Sequence, residues 1–138
     1  MLLAPMIPEP GETPMDWWTN SGQTQAQRGA GTDGMSDTDT YYHDVPRELA
    51  AEATRRERNH PSDGACRETW PLQTWPDVPT RVLLGTNDRL LPAAWMRGLA
   101  RDRLGVAADE IDSGHSVNLS QPKELAERLE AYWTDITA

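Results

Sequence analysis

Arg81-Val82-Leu83-Leu84-Gly85-Thr86-Asn87-Asp88, RVLLGTND, decides how this chain is read. Val82, Leu83 and Leu84 form an aliphatic run too short for a helix, closed by Gly85 and bounded upstream by Pro79, which predicts a buried strand. Asp88 then falls in the loop leaving that strand. In open parallel sheets the crevice beyond the carboxyl ends of the strands gathers ligands and chemistry, so an acid there is a candidate for function. On its own, an Asp in this position is more often a turn former or a helix N-cap.

The residues downstream repeat the arrangement. Met96, Leu99, Ala100 and Leu104 recur at helical spacing and predict a helix over about Pro92 to Leu104. Val106 to Ile111 is a plausible short strand, and Gly114-His115 follows in a loop. Ser120 is then placed to cap a helix with Pro122 in its first turn, burying Leu125, Leu129 and Tyr132 or Trp133 on one face. The order is strand, acid, helix, strand, His, helix. An imidazole needs a carboxylate on one nitrogen to fix its tautomer and leave the other as a base. Adjacent parallel strands would bring Asp88 and His115 together for that purpose, whereas a lone loop His is usually solvated.

This pattern resembles the α/β-hydrolase family, in its esterase and hydroxynitrile-lyase-like branch, where acid and His follow late strands in that order. Gly85-Thr86-Asn87-Asp88 with Pro92, and Ser113-Gly114-His115 running through Ser120-Gln121-Pro122 to Leu125, carry the likeness most specifically. Tyr41-Tyr42-His43-Asp44-Val45-Pro46 looks like the end of that branch's cap region, and Leu2-Leu3-Ala4-Pro5 like the strand after its nucleophile helix. The resemblance covers nearly the whole chain. It implies an α/β fold: the C-terminal portion of a hydrolase, with about three parallel strands, flanking helices and an irregular cap segment. Residues 1–7 would supply a strand, 8–60 the cap or lid, and 78–138 the strand-acid-helix-strand-His-helix unit.

The nucleophile elbow G-x-S-x-G of that family does not occur in these 138 residues, nor does the oxyanion-hole segment that precedes it. Ser21, Ser36 and Ser62 lack the flanking strand and helix that would strain a serine, and read as loop chemistry. Cys66, the single cysteine, is a candidate thiolate nucleophile only if His115 activates it; no strand precedes it, and a small half-buried thiol is the simpler account. One cysteine provides no internal disulfide and no metal cluster. His43 and His60 have no partner at metal-ligand helical spacing. Asp44 and Pro46 suit the start of a helix through Leu49, Ala53 and Arg56, and His60 stands in a loop before Pro61. The expected catalytic residues are therefore Asp88 and His115, with no cofactor and no metal.

Composition sets the outer limits. The chain is 37% hydrophobic with 11 Pro, 10 Gly and no Phe, a thin core for one small domain. Residues 8 to 40 are rich in Pro, Gly, Thr, Gln and Asp without sustained periodicity, which predicts a mobile lid or disorder. Trp17 and Trp18 resist disorder; they could cover a pocket or simply pack locally. A net charge of -9 argues against nucleic acid, because phosphate neutralisation needs clustered cations. Arg55-Arg56-Glu57-Arg58 is an interrupted basic knot on a solvated face. No apolar run is long enough to span a membrane, and Met1 to Ile7 lacks the positive leader of a signal peptide, so a cytoplasmic setting is expected.

Opening on apolar Leu2-Leu3-Ala4 predicts a parallel strand whose other neighbours come from sequence upstream, leaving a sheet edge exposed. The expectation is the acid-and-base part of a hydrolase of small uncharged esters. Made alone, it would be unstable or self-associating through that edge, and inactive. A non-catalytic remnant that binds a ligand or partner is the alternative of different class, and a lyase using the same triad on a cyanohydrin-like substrate stays open within the family.

Overall fold

The computed structural model describes residues 1–56 and 64–137. Three strands, β1 (Leu2–Leu3), β2 (Val82–Gly85) and β3 (Ala108–Ile111), form one sheet in the order β1-β2-β3. Both pairings are parallel, with Leu3 opposite Leu83 and Gly85 opposite Ile111. The fold is α/β, as the chain pattern predicts. β1 is confined to two residues of the expected seven, because Ala4 turns away at φ 39° and Pro5 has no N–H to continue a ladder. β3 starts at Ala108 rather than Val106.

β2 is central, and its side chains divide by the two-residue period of a strand. Val82 and Leu84 enter one core cluster with Ile7, Trp17, Leu91, Met96, Leu99 and Ala100; Leu83 enters a second with Ile111, Val117 and Leu125. The first cluster is covered by α5 (Ala93–Leu104), which ends at Gly105 in the left-handed conformation. The second lies under α6 (Val117–Ser120) and α7 (Pro122–Thr137). Both faces of the parallel sheet are thus covered, which explains why β2 is a continuous apolar run rather than an alternating one.

Along α7 the buried positions are Leu125 and Tyr132, while Leu129 and Trp133 are exposed. Leu129 was expected inside; the inward stripe instead runs through Arg128, which reaches the Glu110 carbonyl at 3.2 Å, to Tyr132. The Tyr132 hydroxyl donates to Asp109 Oδ2 at 2.8 Å, and burial followed by that bond and the Asp109 charge pushes the phenol up to about 12. Ser120 does not cap α7. It is the last residue of α6, and its hydroxyl pairs with Ser113.

Residues 8–40 correct the expectation of a structureless lid. They fold into α1 (Pro14–Asn20), α2 (Gln23–Gly29) and α3 (Asp37–Tyr41), followed by α4 (Arg47–Arg56). The first three are too short to show a sustained period, yet α1 and α3 start on ordinary caps. Thr13 accepts from Asp16 N and Ser36 from Asp39 N. In α4 Ala50 rather than Leu49 faces inward, and Asp44 is not its cap. Trp17 is fully buried, donates through Nε1 to the Ile7 carbonyl at 3.1 Å and meets Trp95 edge-on at 5.6 Å. Arg103 at the end of α5 adds a buried pair to Glu12 and a bond to the Ile7 carbonyl, both at 2.6 Å. His60, Ser62 and the Glu57-Arg58 half of the basic knot lie outside the described residues.

Trp17 tests whether the segment is docked. Trp17→Ala should lower the unfolding free energy by about 3–5 kcal/mol in urea denaturation, the range for emptying a buried aromatic site. A change below about 1 kcal/mol would mean that residues 13–32 ride loosely on the sheet.

Candidate functional site

The carboxyl end of β2 delivers one loop and that of β3 another, and the two are tied by backbone bonds. Thr86 N donates to the Ile111 carbonyl at 2.9 Å and Asn87 N to the Ser113 carbonyl at 3.0 Å. Side chains add a brace: Asn87 Nδ2 donates to Asp112 Oδ1 at 2.7 Å. The contact is close enough to require glycine. A Cβ on Gly85 would stand 2.5 Å from both the Ser113 and the Gly114 carbonyl oxygens.

Asp88 and His115 meet across this seam. His115 Nδ1 lies 2.9 Å from Asp88 Oδ2, with the carboxylate side chain 2% and the imidazole 21% exposed. A carboxylate only accepts, so Nδ1 is the nitrogen that donates, and in the neutral ring the lone pair is on Nε2. Oδ1 of Asp88 accepts from Leu90 N at 2.8 Å and Leu91 N at 2.9 Å. The turn-forming role expected of an ordinary loop Asp and the imidazole contact therefore coexist, one on each oxygen.

Three side chains from α2 and the turn after it hold the next two carbonyls of the acid loop. Gln23 donates to Leu90 O at 2.6 Å, Gln27 to Arg89 O at 3.2 Å and Thr32 to Arg89 O at 2.8 Å. Trp95 Nε1 ties α5 back to Ser21 O at 2.9 Å. The segment read as lid is built into the support of Asp88.

The His loop has its own partners, which sequence reasoning missed. The Tyr41 ring stands edge-on to the imidazole at 5.4 Å. Asp44 Oδ2 accepts from Gly114 N at 2.6 Å and from Ser113 Oγ at 3.2 Å. Burial alone would raise the Asp44 carboxyl; the Gly114 N–H, the Ser120 and Ser113 hydroxyls and the His43 ring outweigh it and hold it below its ordinary value. The residue before Val-Pro was expected to start a helix; the only further hint is Gly114, where a Cβ would fall 2.6 Å from both Asp44 Oδ1 and His43 Cε1. His43 is half-buried, and its Nδ1 is buried without a hydrogen-bond partner among the described residues.

Cys66 stands in a 3-10 turn over Ala65–Arg67. Ser21 closes α1 and Ser36 opens α3, uses that account for both hydroxyls. Among the described residues no three His, Cys, Asp or Glu are grouped to hold a metal ion, and no helix is long and apolar enough to cross a membrane.

Two outcomes follow from this geometry. Gly85→Ala should cost about 1–3 kcal/mol as overpacking and move the 113–115 loop, seen as amide shift changes at Gly114 and His115 by NMR. Asp44, with its carboxyl lowered in the folded chain, contributes its stability in full above about pH 4 and loses it as pH falls through the lower folded value. Asp44→Asn should therefore flatten part of the acid limb of a stability titration below about pH 4 and leave the limb above it unchanged.

A protein-family model described as the alpha/beta hydrolase family matches residues 1–128. No curated protein matches the chain.

Proposed function

The chain belongs to the α/β-hydrolase family, and from that premise we propose that Asp88 and His115 are the acid and the base of a serine-esterase-type site. The 2.9 Å contact between His115 Nδ1 and Asp88 Oδ2 carries the proposal. It fixes the tautomer in which Nε2 is the base, and it stabilises the imidazolium that forms when Nε2 takes a proton. Asp88 is suited to the task because its second oxygen is spent on two backbone N–H groups, so the carboxylate cannot swing away from the ring.

In the proposed cycle a serine hydroxyl loses its proton to His115 Nε2 while its oxygen adds to the ester carbonyl. His115 then returns that proton to the departing alkoxide, and water repeats the sequence to release the acid. The serine is supplied by sequence other than these 138 residues, which contain no G-x-S-x-G. The substrate is a small uncharged ester, a class favoured by the acidic balance of the chain over an anionic one.

The intact mass of the native protein is the first check. A mass above 15.4 kDa with a G-x-S-x-G peptide upstream of Met1 supports the proposal. In that longer form His115→Ala should lower kcat for p-nitrophenyl acetate by about 10⁴-fold or more and Asp88→Asn by about 10⁴-fold, while the 138-residue chain turns over no ester. A native mass of 15.4 kDa would favour a binding module built on the same half-sheet. Ester turnover by the 138-residue chain that disappears in His115→Ala would overturn the external serine.

A further inference from the structure

The residue that grips the His loop comes from the segment 41–45, 70 residues before Gly114 in the chain. Tyr41 sets its ring edge against the imidazole at 5.4 Å, and three residues later Asp44 binds the backbone N–H immediately before His115. Asp44 as a whole is exposed, but its Oδ2 is turned inward onto Gly114 N and Ser113 Oγ. Ser113 is 1% exposed and shares its hydroxyl with Ser120, so the residue before Gly114 has little freedom. Gly114 permits the approach: a side chain there would strike both Asp44 and His43.

We propose that Asp44 is a positioning residue for His115, holding the Gly114 peptide so that the imidazole faces Asp88. The proposal rests on reading His115 as the base. It assigns the carboxylate a purpose beyond closing the cap segment. The imidazole has two rotatable bonds, χ1 and χ2, and its Cα is set by the loop. Asp88 fixes the ring from one side only, through one hydrogen bond. A shift of the Gly114 peptide by 1 Å would move Nδ1 out of hydrogen-bonding range of a carboxylate that cannot follow, since its other oxygen is anchored at Leu90 and Leu91. Asp44 acts through Gly114 and does not touch the ring, so its effect is on orientation.

A long-range ¹H–¹⁵N NMR spectrum of the His115 ring tests this in the full chain at neutral pH. The wild type should show the two well-separated nitrogen signals of a single Nδ1–H tautomer. Asp44→Ala and Asp44→Ser should bring them together as the tautomers mix, matching Asp88→Ala, while Asp44→Asn, whose amide oxygen still accepts from Gly114 N–H, should restore the wild-type pattern. Thermal unfolding of each variant separates lost folding from lost positioning. A folded Asp44→Ala or Asp44→Ser chain with the wild-type pattern overturns the proposal. So does Gly114 N–H exchanging with solvent like an open amide in the wild type, a measurement that requires no variant; slowing by about tenfold or more is expected. If the tautomer responds as stated but His115→Ala leaves hydrolysis by the longer form intact, the positioning holds and the catalytic reading of His115 fails.

Discussion

Everything at the candidate site depends on how closely the end of β2 approaches the loop after β3. Gly85 lies against the Ser113 and Gly114 carbonyls, and the amides of Thr86 and Asn87 extend the sheet's hydrogen bonding past its last strand pair. Two loops that would otherwise diverge are zipped for several residues beyond the sheet. Asp88 and His115 each follow that zipper by one step, so their 2.9 Å separation is inherited from backbone geometry rather than from a search by long side chains. A loop closed by its own flexibility would lose entropy each time the pair formed; here that cost is met once, on folding.

The segment before β2 supports the same seam from outside. Gln23, Gln27 and Thr32 hold carbonyls of the acid loop, and Asp44 holds the His loop. Gln23 and Gln27 stand on α2, Thr32 and Asp44 outside the helices, and Trp17 and Ile7 are fully buried in the core cluster that α5 covers. A small apolar fraction is sufficient because the aromatic groups are concentrated: Trp17 meets Trp18 and Trp95, and Trp70 stacks on Trp75. These large side chains add to the Leu and Ile of the core in a chain that has no Phe.

The parallel sheet, α5 and the terminal helix were legible because their signals are local. A three-residue aliphatic run, a Gly at the end of α5 and a Pro at the start of α7 each report on their own backbone. The Asp88–His115 pair was legible because topology alone brings the ends of adjacent parallel strands together. The helices within residues 8–40 were missed for the opposite reason. Helices of five to seven residues are too short to show a period, and their stability comes from tertiary bonds such as Gln23 to Leu90, 67 residues apart. Asp44 was assigned to the helix that follows it in sequence; its partner is 70 residues away, and only Gly114 marks the spot from the other side. Leu129 fell outside because the inward stripe of α7 is set by Arg128 and Tyr132 reaching polar groups of β3, a choice that an apolar pattern does not encode.

Three carboxylates, Asp44, Asp88 and Asp112, take part in joining the two loops and the segment before α4, and each has its own partners. Asp112 is engaged by Asn87, Asp44 by Gly114 and Ser113, and only Asp88 touches the ring. Each accepts from donors of its own, so the two supporting carboxylates tie loop to loop while Asp88 alone of the three contacts the ring. The donors to the two supporting carboxylates are one backbone N–H, from Gly114, the Ser113 hydroxyl and the Asn87 amide, all neutral groups.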